Sequence, residues 1–138
     1  MRIFIDSDVV ISSLISSSGA AYFLFDQLPI KPVVSSVSMK EIRIVVERMK
    51  IKSERLETLI DKRFEVFPLK KELVKIKEKY SRYVTDIDDA HIVAGASEAG
   101  VKYLISYNLK HFKKDKIKDE LGLILLTPAL FLQYWRSQ

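Results

Sequence analysis

Apolar and polar positions along the chain fall into blocks whose period changes regularly. Ile3-Phe4-Ile5 is a short continuous apolar run, the pattern of a strand covered on both faces. Runs of this kind predict strands at residues 2–5, 32–35, 103–106 and 123–126, with a weaker one at 65–68. Helical patterns lie between them. Residues 7–15 and 20–28 are short and apolar, split by Ser16-Ser17-Ser18-Gly19. Residues 37–49 carry Ile42, Val45, Val46 and Met49 at the i, i+3, i+4, i+7 spacing of a packed helix. Residues 53–64 and 70–83 read as a charged, amphipathic pair, and 90–99 as a small, apolar helix set tightly on a sheet. A last helix runs to 136, with Thr127 as its cap and Pro128 at its first position. Strands too far apart for hairpins, alternating with helices, predict an α/β fold: one domain over 1–138, with a mostly parallel sheet of four to five strands covered on both faces.

Composition sharpens this picture. A hydrophobic content of 48% and a charged content of 30% describe a globular chain with a core of useful size. The absence of cysteine excludes disulfides and thiolate ligands and points to a cytoplasmic setting. Asp6 and Asp8 interrupt the first apolar run, so no signal peptide is expected there. The longest apolar stretch, 121–132, is shorter than the ~20 residues of a membrane span.

The net charge of +5 is uneven: residues 40–79 hold thirteen lysines and arginines against eight acids. That excess reads either as a solvated helix face with alternating charges or as a surface for a polyanion. The cluster Lys110, Lys113, Lys114 and Lys116 has fewer balancing acids and reads as a contact surface for a polyanion.

The acids fall where strands or loops hand over to helices. Asp6 follows the first strand, Glu41 lies near the start of the third helix, and Asp86, Asp88 and Asp89 precede the small apolar helix. Carboxylates brought together from distant segments make a hard-cation site. A set of oxygen ligands without cysteine selects Mg²⁺ or Mn²⁺. Each acid also has a plainer reading. Asp6 could cap the first helix, although Ser7 and Asp8 compete for that place. Glu41 could close a capping box with Ser38, unless Ser35 or Ser36 is the cap. Asp86 could cap the helix it precedes, but three acids there exceed what a cap requires. Asp89 is the best ligand of the three. His91 and His111 lack zinc spacing and read as surface residues or as supports behind the ligands. Ser106 and Asn108, ending the 103–106 strand, read either as turn residues or as groups that orient a carboxylate.

These residues in this order resemble the PIN-domain ribonucleases, including the VapC-type toxins. IFIDSDVVI matches the family's opening hhhD-[ST]-[ND]-hhh, with Ser7 for the commoner Thr and Asp8 for the commoner Asn. Glu41 in SVSMKEI matches the helix-borne second acid. Asp86 to Ala96 matches the third-acid segment, with Asp89 at the ligand position, and Ser106-Tyr107-Asn108 followed by His111-Phe112 matches the strand-end motif.

The resemblance implies a three-layer α/β/α fold and hydrolysis of RNA phosphodiester bonds with Mg²⁺ or Mn²⁺. Asp6 and Asp89 hold the ion on this reading, and Glu41 is a ligand or orients water. Asp8, Asp86, Asp88, Ser106 and Asn108 support them. For a toxin it further implies an antitoxin partner and a homodimer. The chain departs from the pattern where many members carry a fourth acid, since Asn108 and His111 stand there. That departure keeps open a non-catalytic module binding nucleic acid or protein. A more remote alternative, a haloacid-dehalogenase-like phosphatase, rests on Asp6-Ser7-Asp8 as a strand-end acid pair. The glycine expected after the second acid is replaced by Val9.

Overall fold

The computed structural model describes residues 1–138. Five strands, β1 (Arg2–Ile5), β2 (Lys31–Ser35), β3 (Glu65–Phe67), β4 (Tyr103–Ile105) and β5 (Ile124–Leu126), form one sheet in the order β3-β2-β1-β4-β5. Every pairing is parallel, and Phe4 lies in register with Val33 on one side and Leu104 on the other. A parallel pair needs a crossover, and the helices supply it. They are α1 (Ser7–Ile15), α2 (Ala20–Gln27), α3 (Ser36–Arg48), α4 (Ser53–Arg63), α5 (Leu73–Tyr80), α6 (Ala90–Ala99), α7 (Lys114–Leu121) and α8 (Pro128–Arg136).

Alternation along β1 divides the interior into two cores. Ile3 and Ile5 face a cluster built with Val9, Val10, Leu24, Phe25, Ile42, Leu56 and Phe131, from α1 to α4 and α8. Phe4 faces the other way, into a cluster with Ile76, Tyr80, Ile92, Val93, Leu104 and Ile117, from α5, α6 and α7. Each fully buried aliphatic or aromatic side chain contributes about 1.5–3 kcal/mol, so both faces must be covered, and the result is the expected three-layer α/β/α arrangement. No single helix is long and apolar enough to cross a membrane.

Local differences from the sequence expectation have physical causes. The predicted helix at 20–28 ends at Gln27, because Leu28 precedes Pro29 and is extended (ψ 143°). The predicted helix at 70–83 is α5 followed by a 3₁₀ turn at Ser81–Tyr83. Thr127 caps α8 as expected, accepting from the Leu130 amide. Helix α7 was not anticipated: among its charged residues Ile117 is fully buried, and Gly122 ends it in the left-handed region (φ 69°).

Candidate active site

The chain leaves β1 for β2 and β3 on one side of the sheet, then returns to build β4 and β5 on the other. The sheet therefore reverses between β1 and β4, and the crevice beyond their carboxyl ends is where open α/β sheets place ligands. Asp6 is the residue after β1 and Ser106 the residue after β4. The Asp6 amide donates to the Ile105 carbonyl (2.9 Å), which continues the strand pairing up to the site.

Four side chains from these two strand ends lock together. Asp6 Oδ1 accepts from the Ser7 amide (2.7 Å), and Asp6 Oδ2 accepts from the Ser106 hydroxyl (2.8 Å). Asp6 thus is the N-cap of α1, a place the sequence left open to Ser7 and Asp8. Ser106 Oγ also accepts from the Asn108 amide (3.0 Å). Asp8 reaches back across the reversal, its Oδ2 accepting from the Tyr107 amide (3.2 Å) and the Asn108 side-chain amide (2.9 Å).

The third-acid segment enters on a 3₁₀ turn, Ile87–Asp89, ahead of α6. Asp86 caps that turn by accepting from the Asp88 amide (3.0 Å). Asp88 points to solvent and pairs with Lys77 (3.3 Å), so it turns away from the cleft. Asp89 alone of the three faces the other acids, with His111 Nδ1 at 3.4 Å from its Oδ2. Three backbone contacts hold His111 there: Thr85 N–H donates to the His111 carbonyl (3.0 Å), Lys113 N–H to the Tyr83 carbonyl (2.9 Å), and Val84 bridges Phe112.

Glu41 comes from α3. Ser35 caps that helix, accepting from the Ser38 amide (3.0 Å), so no capping box engages Glu41. Its carboxylate instead meets the buried His91 of α6, at 2.6 Å from Oε1 to Nε2.

Burial pushes the Asp6 carboxyl up. Ser106 and Ser7 oppose the rise by hydrogen bonding, Asp89 adds to it and His91 opposes it. Burial, followed by the charge of Asp6, pushes Asp8 up to about 7 against the Tyr107 and Val9 amides and His111. Asp89 is raised by burial first; His111 and His91 pull it down, while Asp86 and Glu41 push it up. The strongest charges acting on all three are carboxylates and imidazoles, with no ammonium or guanidinium among them. Three of the four buried side-chain atoms without a hydrogen-bond partner, Ser7 Oγ, Asp8 Oδ1 and His91 Nδ1, also lie here, which marks the region as one not optimised for stability alone.

No three histidine or acid side chains close into a ready-made cage; Asp6 and Glu41 have oxygens engaged by Ser7, Ser106 and His91. Each ionised carboxylate still has lone pairs to give. Mutually repelling oxygen donors ion-paired to no Lys or Arg fit a hard divalent cation that keeps several of its waters.

Of the basic cluster, Lys110, Lys113 and Lys114 are exposed and Lys116 is half-buried. Helix α7 is the crossover from β4 to β5, so it starts at the carboxyl edge of the sheet, the same edge as the acids. A cavity of about 560 Å³ lies elsewhere, between α1, α2 and α4, and none of these acids lines it. Charge and donor geometry, not concavity, mark the candidate site.

Sequence reasoning missed the contacts of both histidines. His91 had a readable signal: it is an ionisable residue inside the otherwise small, apolar run from Ala90 to Ala96. For His111 the strand-end motif marked the residue but not its partner Asp89, since that pairing depends on a backbone stitch between segments far apart in sequence.

Comparison with known proteins agrees with this frame. No curated protein matches the chain. Among solved structures it resembles VapBC2 from Rickettsia felis, solved with a DNA fragment from the promoter, at 17% identity and a TM-score of 0.64 over 92% of this chain and 98% of that one. It also resembles a toxin–antitoxin complex from Klebsiella pneumoniae, at 18% identity and a TM-score of 0.66 over 91% and 97% of the two chains. At such identities the likeness speaks for the fold. A family model described as PIN domain matches residues 2–110, from the strand before Asp6 to the turn carrying Lys110. All four segments that build the site lie inside that span, and the chain belongs to the PIN-domain family.

Proposed function

We propose that this chain is a metal-dependent endoribonuclease acting as one cytoplasmic domain, and the toxin of a toxin–antitoxin pair. The observation that carries the reading is the half-buried Asp6 at the sheet reversal, fixed by the Ser7 amide and the Ser106 hydroxyl, raised by burial and by Asp89, and ion-paired to no lysine or arginine. The likeness to two toxin–antitoxin complexes supports the antitoxin partner.

Asp6 and Asp89 would hold the Mg²⁺ or Mn²⁺ ion, with Glu41 as a further ligand or as the group that orients water. When bound, such an ion supplies Lewis acidity, making water more acidic and stabilising charge that gathers on phosphate oxygens. Ser106 fixes the Asp6 carboxylate by its hydroxyl, and Asn108 and the Tyr107 amide fix Asp8. Lys110, Lys113, Lys114 and Lys116, at the start of the β4–β5 crossover, would meet the RNA phosphates.

One observation favours a second reading, a non-catalytic binding module. Asn108 stands where many relatives carry an acid, and its amide is spent on Asp8. The phosphatase alternative has no such support, because the family model that matches residues 2–110 is the PIN domain.

Purified protein with a mixed RNA substrate and Mn²⁺ or Mg²⁺, with EDTA and Asp6→Asn as controls, tests the proposal. Cleavage that needs both the metal and Asp6 is the expected result, with Asp6→Asn losing at least a hundredfold in rate while keeping its fold. RNA binding without cleavage by the wild type would favour the module instead.

A further inference from the structure

We propose that His91 is the positioning residue for Glu41, holding that carboxylate from α6 so that it faces the cation; the inference rests on the metal-dependent reading above. Glu41 lies on the exposed side of α3, with half of its side chain in solvent (52%), and a long acid in that place samples many rotamers. Its neighbour is an imidazole that is only 5% exposed, with Nε2 2.6 Å from Oε1. The contact engages one carboxylate oxygen and leaves the other unclaimed.

The imidazole is badly placed for any other task. Its Nδ1 is buried without a partner, so half of its hydrogen-bonding capacity is forgone in the core, a cost that only the bond to Glu41 offsets. An apolar residue would pack the same space without that cost. The backbone brings His91 there deliberately: one turn further along the same helix face is Gly95, where an added Cβ would lie 2.6 Å from Phe4 Cζ and 3.4 Å from Ser35 Cβ. The missing side chain seats α6 against β1 and the end of β2, at the point where α3 begins, and puts the imidazole within reach of Glu41. His91 thus ties the second-acid helix to the third-acid helix, as an outer hydrogen bond orients a metal ligand.

Four variants test this: His91→Leu, His91→Gln, Glu41→Gln, and the double His91→Leu/Glu41→Gln. Each is measured for Mn²⁺ affinity by the electron paramagnetic resonance of free ion and for single-turnover RNA cleavage, with circular dichroism to check folding. His91→Leu is expected to weaken Mn²⁺ binding about tenfold, His91→Gln to recover most of that loss through its side-chain amide, and the double variant to match Glu41→Gln alone. Imidazole nitrogen NMR of His91 reads the bond without any change at position 91, and its signals are expected to move in Glu41→Gln. Unchanged Mn²⁺ affinity in His91→Leu, losses that add in the double variant, or His91 signals indifferent to Glu41→Gln would each overturn the positioning role while the ribonuclease stands. A wild-type protein that binds no Mn²⁺ overturns both.

Discussion

Asp8 is a carboxyl with an orphaned oxygen, a neighbouring carboxylate and a native titration near pH 7. An unfolded aspartate titrates near ~3.9, so between those values the folded chain holds a proton that the unfolded chain releases. The associated stability is full below the unfolded value and is lost as pH rises through about 7. Asp8→Asn keeps an acceptor for the Tyr107 amide and the Asn108 side chain while removing the charge. In EDTA the variant should melt a few degrees above wild type at pH 8, roughly what 1 kcal/mol is worth in a chain of this size. The two should converge toward pH 4. Thermal melts across that range decide it, and superimposable profiles would show that Asp8 is not strained. The places of the acids were legible from periodicity: Asp6 follows the first strand, Glu41 lies in the first half of the third helix, and Asp89 precedes the small apolar helix. Their partners were less so: nothing in a linear pattern pairs Asp8 with Asn108, one hundred residues away.

Element boundaries were legible where a single physical cue decides them, as at Ser16-Ser17-Ser18-Gly19 between α1 and α2 or at Thr127-Pro128 opening α8. Helix α7 was not, because in eight residues its apolar face is only Ile117 and Leu121, too short a run to show a period. Helix α6 is the opposite case: small side chains predicted a tight seat on the sheet, and Gly95 against Phe4 is that seat. Gly95→Ala adds a methyl where Phe4 is fully buried. Overpacking costs about 1–3 kcal/mol, and the gain of about 1 kcal/mol in helix propensity offsets only part of it. Differential scanning calorimetry should show a lower melting temperature. The helix must also move outward, carrying Asp89 and His91 with it, so Mn²⁺ binding should weaken more than stability alone accounts for. The double variant Gly95→Ala/Phe4→Leu removes the clashing ring atoms and should melt above the sum of its two single effects. Strict additivity would show that the core absorbs the methyl without moving α6.

At the scale of the molecule, topology converts separate carboxylates into a site. The return of the chain from β3 to β4 brings residues 6 and 106 side by side, and α3 and α6 begin at that same carboxyl edge, with Glu41 and Asp89 near their starts. A parallel sheet was readable from the alternation of elements; its order was not, because strand patterns do not say which edge the fourth strand joins. The arrangement concentrates negative charge in a chain whose net charge is +5. The metal-free fold therefore carries a local repulsion that a divalent ion relieves. An ion that binds only the folded chain stabilises it by about 2.7 kcal/mol at one hundred times its dissociation constant. Saturating Mn²⁺ should raise the melting temperature of the wild type, and by more at pH 8 than at pH 5, since protons compete for Asp6, Asp8 and Asp89. Asp6→Asn should lose most of that shift while melting no lower than wild type in EDTA, because its own charge was part of the strain. A shift of equal size in Asp6→Asn would put the ion elsewhere on the surface, and the crevice between β1 and β4 would lose its claim to be the active site.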